Sequence, residues 1–474
     1  MTQPSTPGRP GRPNATSQDS PGRPGLTRRD LLRRGGGLAA VFASGTAPAL
    51  LAACSSSSGS GSSGPLSFWN FYGPTAAKGT VPAQSDWFVK TVKDWNATQK
   101  AKVALQYIPT PTYIGGSKLQ TAFASGSGPD IFLLSPGDFL RYYNGGVLTD
   151  LSPYMTQAAR DDFYSSVMST RTVGSGIYGL PMEVEPMAFY YSEKAWEKAH
   201  LSQADIPTTW DELLNVADKL KSVTKFGIAF EVNPGYYQNF TWYPFMWQGH
   251  SDAVAASQKS SDFGSAGTVS ALTLWQDTIK RGLAPRTLLG TGGGDIVANL
   301  GSGYCGIQNC GIWGIAAMRA QPSFKYGVFK LPVPPGGSYT TVLGGWAFVV
   351  NSKGKNPEEA AKFVVWALGS MSQDSIGRMV DWCIKAKSDI APRKSALTQA
   401  EKQGGYDPAP LKYFKDVVFP GGRGEPRYPP PVYEAVSQAI QSCQLSGASP
   451  AAQAQQTATT INNYLQSYNG AAIR

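Results

Sequence analysis

The chain changes its hydrophobic period repeatedly. LSFWNFY, from residue 66, reads as an opening strand. QSDWFVKTVKDWNATQ then sets apolar side chains at 87, 88, 92 and 95, a helical spacing. KVALQYI is a strand, YIGGSKLQTAFASGSG a helix closed by glycine, PDIFLL a short buried strand and PGDFLRYYNGG a short helix with glycine stops. That β-α-β-α-β-α order predicts an α/β fold with a mostly parallel sheet and helices on both faces. Further on, TTWDELLNVADKLKS carries a threonine N-cap and acids in its first turn. KFGIAFEV is a strand, GTVSALTLWQDTIKRG a long helix and TVLGGWAFVV another strand. NPEEAAKFVVWALGS is a helix capped by Asn356, with Pro357 in its first position. VYEAVSQAIQSC and PAAQAQQTATTINNYLQSY close the chain as helices, and no internal repeat is evident.

Before the first strand the pattern is different. PGRPGRP and PGRPG have almost nothing to bury and predict a disordered tail. TRRDLLRRGGGLAAVFASGTAPALLAAC, residues 27–54, has the basic, apolar and small-residue regions of an export signal. Thr27-Arg28-Arg29-Asp30-Leu31-Leu32 resembles a twin-arginine motif, and Leu51-Ala52-Ala53-Cys54 resembles a lipobox, whose cysteine is lipidated. A transmembrane anchor fits less well. The 19 residues between Arg34 and Cys54 are broken by glycines and Pro48, whereas a span needs about 20 mostly apolar residues. Residues 55–65, rich in Ser and Gly, read as a flexible tether. The expected arrangement is a soluble body held by lipid at the outer face of the cytoplasmic membrane.

Size and charge narrow the picture. From Cys54 onward the chain has 421 residues, too many for one compact core, which predicts two lobes. The formal charge of +10 owes much to the leader: beyond its seven arginines and two aspartates, 35 Lys and Arg face 30 Asp and Glu, a net +5. No basic run survives there, so nucleic acid is not an expected partner. His200 and His250 are the only histidines, and no Cys/His cluster has ligand spacing. No metal or cofactor is expected. Cys305, Cys310, Cys383 and Cys443 belong to an exported chain, where disulfides persist. Pairing nearest neighbours gives Cys305–Cys310 and Cys383–Cys443, with four buried thiols as the alternative. The chain holds 12 Trp, 22 Tyr and 20 Phe but only 16% charged residues. Many of these rings occupy loop-like contexts: WNFYG, GYYQNFTWYPFMW, CGIWG, GGWAF and MVDWC. Singly, each suits core packing. Together, flanked by Gly, Pro, Asn and Gln, they suit flat amphipathic ligands such as sugars.

SGSGPDIFLLSPGDFLRYYNGGVLTDLSPYM (125–155) and GIYGLPMEVEPMAFYYSEKAWEKAHLSQADIPTTWDEL (176–213) resemble the signature regions of extracellular solute-binding proteins that feed ATP-driven sugar importers, the family of the maltose-binding protein. The resemblance continues through GGWAFVVNSKGKNPEEAAKFVVWAL. It implies a two-lobed, type II periplasmic-binding-protein-like fold that closes on ligand like a hinge. Three crossings are implied, near Glu185-Pro186, near Gly344-Gly345 and between Lys385 and Pro392. Lobe one is then 66–185 with 345–388, and lobe two 186–344 with 389–474. A carbohydrate ligand, the permease subunits of an importer, a lipid anchor and a monomeric state follow from the same resemblance.

Site residues carry over singly. Glu185, the second acid of PMEVE, stands where relatives hydrogen-bond sugar hydroxyls, and Trp313 where they stack a sugar ring. Ser135 and Asp138 follow the PDIFLL strand at a position of polar ligand contacts, with SPG in place of an aromatic and a charge. Trp69 and Asn70 end the first strand, facing the cleft. Tyr236, Tyr237 and Trp242 lie on a segment that lends an aromatic. Trp346 and Arg393 are further candidates, with hinge packing and a surface charge as their alternatives. A carboxylate suits vicinal hydroxyls because charge-assisted hydrogen bonds are stronger than neutral ones.

Two other classes compete. An anchored glycoside hydrolase needs two carboxylates about 5 to 9 Å apart across a cleft, and Glu183 and Glu185 are the pair to consider. No nucleophile elbow and no HExxH motif accompany them. A receptor of the same fold for a phosphorylated, cationic or metal ligand would need Arg-rich or acid-rich lining, which the aromatic excess opposes.

Overall fold

The computed structural model describes residues 64–74, 81–114, 117–319 and 321–473. The export signal, Cys54 and most of the tether lie outside them. The described chain is organised around two main sheets. The first has the order Val103–Tyr107, Leu66–Asn70, Ile131–Leu134, Ala347–Val350 and Leu180–Pro181. The second runs Gly422–Gly424, Thr341–Gly344, Glu185–Ser192, Cys305–Gly311 and Phe226–Ala229, with Tyr326–Phe329 also paired to Glu185–Ser192.

The helices form where the apolar spacing puts them. Pro82–Thr98 buries Trp87, Phe88, Val92 and Trp95 on one face. Phe88 of this helix meets Phe68 of the first strand at 5.6 Å and Phe348 of the returning strand at 5.8 Å between ring centroids. Trp210–Lys221 starts with a capping box between Thr209 and Glu212, which satisfies backbone donors left over at a helix start. Asn356 caps Pro357–Val364 through the Glu359 amide. In the second lobe Phe230 stacks on Trp275 at 4.5 Å and meets Phe245 edge-on at 5.6 Å.

Several expectations need correction. The sheets are mixed, not mostly parallel: Glu185–Ser192 and Ala347–Val350 pair antiparallel with their described partners. Both strands enter straight from a crossing, with no helical crossover to turn them parallel. TVLGGWAFVV is not one strand. It leaves the second sheet at Gly344 and enters the first at Ala347. Gly345 between them has φ +116°, and a Cβ there would collide with the Glu183 carbonyl, so only glycine suits this turn. The predicted helix at 113–128 is two short helices, Thr110–Ile114 and Lys118–Ala124. The aromatic segment after Gly235 is a helix, Tyr236–Gln248, rather than a loop.

The crossings lie side by side. Leu343 and Gly344 pair with Pro186 and Glu185, and Val184 bridges Ile390. Beyond Ile390 the chain does not pass directly to lobe two. Arg393 pairs with Asp162, and helix Lys394–Lys402 packs on helix Gln373–Val380. Ala409–Tyr413 and Phe414–Val418 then pack on Tyr326–Phe329 and Glu185–Ser192, with Phe414 5.8 Å from Tyr190, and Gly422–Gly424 pairs with Thr341–Gly344. Among the described residues, no helix is long and apolar enough to cross a membrane.

Candidate functional site

The first crossing is extended, so Glu183 and Glu185 project the same way, and a third acid, Asp389, joins them from the third crossing. All three surround one ammonium. Lys387 Nζ lies 2.6 Å from Glu185 Oε1, 3.2 Å from Glu183 Oε2 and 3.3 Å from Asp389 Oδ2. It also donates to the Tyr72 hydroxyl at 3.0 Å. Glu183 further accepts from the Trp382 indole at 2.6 Å, the Trp346 amide at 3.2 Å and the Tyr72 hydroxyl at 3.3 Å. The three acids could together hold a cation, and Lys387 is the cation the fold supplies. Burial pushes the Glu185 carboxyl up to about 7, against the pull of Lys387 and with the repulsion of Glu183. Burial also raises Asp389 well above the usual carboxylate range. For Lys387 burial acts downward, yet the acids win and hold the ammonium charged.

Aromatic side chains stand on both sides of this hinge. On the second lobe, Trp313 lies 6.3 Å from Tyr237 and 6.2 Å from Phe240, which itself stacks on Tyr237. On the first, Trp346 meets Phe71 edge-on at 4.7 Å and lies 6.4 Å from Tyr113. Tyr237, Trp313 and Trp346 are half-buried and so keep accessible surface. The Tyr237 hydroxyl is buried without a hydrogen-bond partner, a position that costs free energy until a ligand or water fills it.

Deeper in, the loop after Ile131–Leu134 meets the second lobe. Tyr236 faces Ser135. Gly137 lies against Glu425, and any side chain at Gly137 would collide with that carboxyl. Burial lifts Glu425 to about 8, opposed by Arg171, whose own guanidinium burial holds down to about 10. Asp138 is committed to Arg141 at 2.8 Å, which in turn reaches Tyr433 on helix Pro430–Gln444. Burial raises Asp138 to about 6.

The structure therefore gathers Glu185, Trp346, Tyr236, Tyr237, Trp313, Ser135 and Asp138 about the hinge. Trp69 and Asn70 are buried, as Glu185, Ser135 and Asp138 are; Asn70 turns its side-chain oxygen to the Tyr72 amide at 2.9 Å. Two candidates are excluded. Trp242 is fully buried and packs on Phe263 at 5.8 Å, because the helix turns position 242 away from the face of Tyr236 and Tyr237. Arg393 is fully buried, 2.7 Å from Asp162 and donating to the Leu368 and Ser370 carbonyls. It is a structural cation, neither a ligand residue nor a surface charge. Lys387, Asp389, Arg171, Glu425 and Tyr433 also stand around this candidate site, and the sequence did not single them out.

The disulfides are also corrected: Cys305, Cys310, Cys383 and Cys443 are all free and buried. Cys305 and Cys310 occupy opposite ends of one strand. Five residues of strand span about 16 Å, far beyond the roughly 7 Å between bridged Cα atoms. Cys383 sits on the first lobe against the Met182 carbonyl, and Cys443 on helix Pro430–Gln444 of the second. Alkylation after denaturation without reductant, followed by peptide mapping, should label all four; two disulfides would leave none labelled.

Comparison with known proteins places this geometry. The model of the bacterial extracellular solute-binding protein family matches residues 79–374. The arabinooligosaccharide-binding protein of Bacillus subtilis is 26% identical over 68% of this chain and 73% of its own. A lipoprotein of Streptomyces antibioticus is 26% identical over 58% of this chain and 62% of its own. The structure of a solute-binding protein of an ABC transporter from Thermotoga lettingae, bound with α-D-tagatose, superposes with a TM-score of 0.71 at 21% identity. That match covers 85% of this chain and 100% of the other, and identifies the fold as that of two-lobed binding proteins.

Proposed function

We propose, for a chain that belongs to the bacterial extracellular solute-binding proteins, that it captures a sugar or oligosaccharide between its two lobes and delivers it to the permease of an ATP-driven importer. The observation that carries this is a pair of aromatic clusters, Tyr237 with Trp313 and Phe71 with Trp346, one in each lobe, with Glu185 on the crossing strand that joins the lobes. Rings offer faces to sugar C–H groups, and Glu185 offers a charged acceptor to hydroxyls. A ligand touching both lobes favours closure in proportion to its preference for the closed form.

Glu183 and Glu185 do not suit hydrolysis. Both are bound to one ammonium, and Glu183 is fully buried with its oxygens occupied by four donors. Glu183 has no oxygen left to protonate a leaving group or activate water, so the second carboxylate that a hydrolase needs is missing from the pair.

A thermal-shift panel tests the ligand class. Mono- and oligosaccharides should stabilise the protein, by about 2.7 kcal/mol at a concentration 100 times the dissociation constant. Stabilisation by phosphate esters or polyamines alone would favour the non-sugar receptor. The lipobox and twin-arginine motif, with the likeness to the Streptomyces lipoprotein, support export in the folded state and anchoring through Cys54. Mass spectrometry of cell-associated protein should find a lipid-modified Cys54 as the first residue, and a chain beginning elsewhere would refute the anchor.

A further inference from the structure

A short segment of the second lobe lies along the first. Beyond Gly422–Gly424, which pairs with Thr341–Gly344, the chain reads Glu425-Pro426-Arg427-Tyr428-Pro429-Pro430-Pro431 and enters helix Pro430–Gln444. We infer that residues 425–433 are a closure strap of the second lobe, and that loss of the Glu425 proton releases its hold on the first. The strap rests on the reading of this chain as a two-lobed receptor that closes on its ligand.

Four prolines stiffen the segment, since each fixes φ and removes a backbone donor. One side of it belongs to the second lobe. The Glu425 amide donates to the Leu343 carbonyl at 3.0 Å, and the Tyr428 hydroxyl donates to Asp252. Arg423, just before the strap, pairs with the same carboxylate at 2.5 Å, and its guanidinium lies 4.4 Å from the Trp247 ring. The Asn239 amide donates to the Tyr433 carbonyl at 2.7 Å.

The other side grips the first lobe. Arg427 donates to the Thr172 carbonyl at 2.5 Å, and its guanidinium lies 5.6 Å from the Phe139 ring. The Tyr433 hydroxyl donates to Asp138 at 3.4 Å and accepts from Arg141. At Gly424 a Cβ would lie 2.7 Å from the Ser166 carbonyl oxygen, so the two lobes touch there backbone to backbone. Glu425, Arg427 and Tyr433 are all buried. Contacts of this kind exist only while the lobes are together.

Glu425 sits within this contact, against Gly137 of the first lobe. Arg171, Asp138 and Glu185 face it from three other elements, and Tyr236 and Tyr243 face it from helix Tyr236–Gln248. Arg171 is the basic group of this set, and its guanidinium already donates to the Val167 and Gly345 carbonyls and the Thr170 hydroxyl. Burial lifts the Glu425 carboxyl to about 8. Opening the lobes would return it to water and to an ordinary value of about 4.3. Between these values the closed form binds more protons than the open form. Its advantage is complete below about pH 4.3, shrinks about tenfold per pH unit above that, and is gone once pH passes 8. Burial raises Asp138 to about 6, so it acts in the same sense at lower pH. A ligand that favours closure is helped by the strap in acid and opposed in alkali.

Small-angle X-ray scattering of the full chain from pH 6 to pH 9, without sugar and beside circular dichroism, tests the strap. Wild type should be compact at pH 6 and expand toward pH 9 with its dichroism unchanged. Glu425→Gln keeps the shape and cannot ionise, so it should stay compact throughout. Arg427→Ala combined with Tyr433→Phe should be expanded already at pH 6. Wild-type dimensions independent of pH would overturn the proposal, as would expansion accompanied by loss of dichroism, which is unfolding. Glu425→Gln expanding with the wild-type midpoint, or a folded double variant still compact at pH 6, would overturn it too. The wild-type series needs no variant to fold and no sugar to bind, so it stands apart from the sugar reading. With the panel sugar that stabilises wild type most, affinity should fall at least about tenfold from pH 6 to pH 9 in wild type and less than about twofold in Glu425→Gln. An equal fall in both would place the proton elsewhere and overturn the strap, whereas a panel in which no sugar binds would overturn the sugar reading and leave the scattering result to decide.

Discussion

Replacing Lys387 with methionine should cost about 3–5 kcal/mol of stability near neutral pH, the usual result of removing one partner from a buried ion cluster. Among the described residues, the ammonium is the one cation in direct contact with Glu183, Glu185 and Asp389, and its side chain is only 6% exposed. Without it, three carboxylates stand within 4.8 Å of one another in a buried site. Like charges so close cannot all ionise. Glu185 and Asp389, which burial already holds above the usual carboxylate range, would fold protonated. Their contribution is then present below the unfolded carboxylate pKa and is lost as pH rises through the folded values. The variant should therefore approach wild-type stability near pH 4–5 and fall away from it toward pH 8. Adding Glu183→Gln and Asp389→Asn should recover much of the loss, because no unpaired charge remains. Denaturant unfolding at several pH values measures all of this. A loss under about 1 kcal/mol at pH 8 would mean that the acids are already neutral in the native protein.

Much of the fold was legible because period and caps agree. Helix Pro82–Thr98 and the strands flanking it follow their patterns closely, and Asn356-Pro357 marks a helix start in the sequence and in the structure. Tyr236–Gln248 was hidden because it has no polar face and carries Pro244 inside; a helix buried all round shows no amphipathic period. TVLGGWAFVV reads as one strand because both halves are apolar, and only the φ of Gly345 reveals the turn between sheets. In the site, Glu185 and Trp313 were accessible through their motifs. Lys387 was not, since its significance comes from Glu183, 204 residues earlier in the chain. Arg171 and Glu425 are likewise single charges in unremarkable segments until folding buries them near one another. The disulfide pairing failed because nearness in sequence along a strand is distance in space.

Glu185→Gln should lower affinity for the bound sugar about 10- to 150-fold, as expected for about 1.5–3 kcal/mol lost with a charged acceptor. Stability should move the other way. The folded pKa of Glu185 is raised to about 7, so this carboxylate favours folding below its unfolded pKa of about 4.3 and opposes it as pH rises through 7. At pH 8 the Gln variant should melt at or above the wild-type temperature, since Lys387 still has Glu183 and Asp389 as partners. Trp313→Ala should weaken sugar binding by a similar factor and leave unliganded melting nearly unchanged, because a half-buried platform at the lobe edge contributes little to folding. Were Trp313 a core residue, its truncation would cost several kcal/mol of stability.

The most direct measurement is a calorimetric titration of wild type, Glu185→Gln and Trp313→Ala with the panel sugar that stabilises wild type most, run beside unliganded melting curves. Carbohydrate capture at this hinge predicts at least a tenfold loss of affinity in each variant with no fall in melting temperature. Unchanged affinity in both, or a Trp313→Ala protein that melts far below wild type, would contradict it.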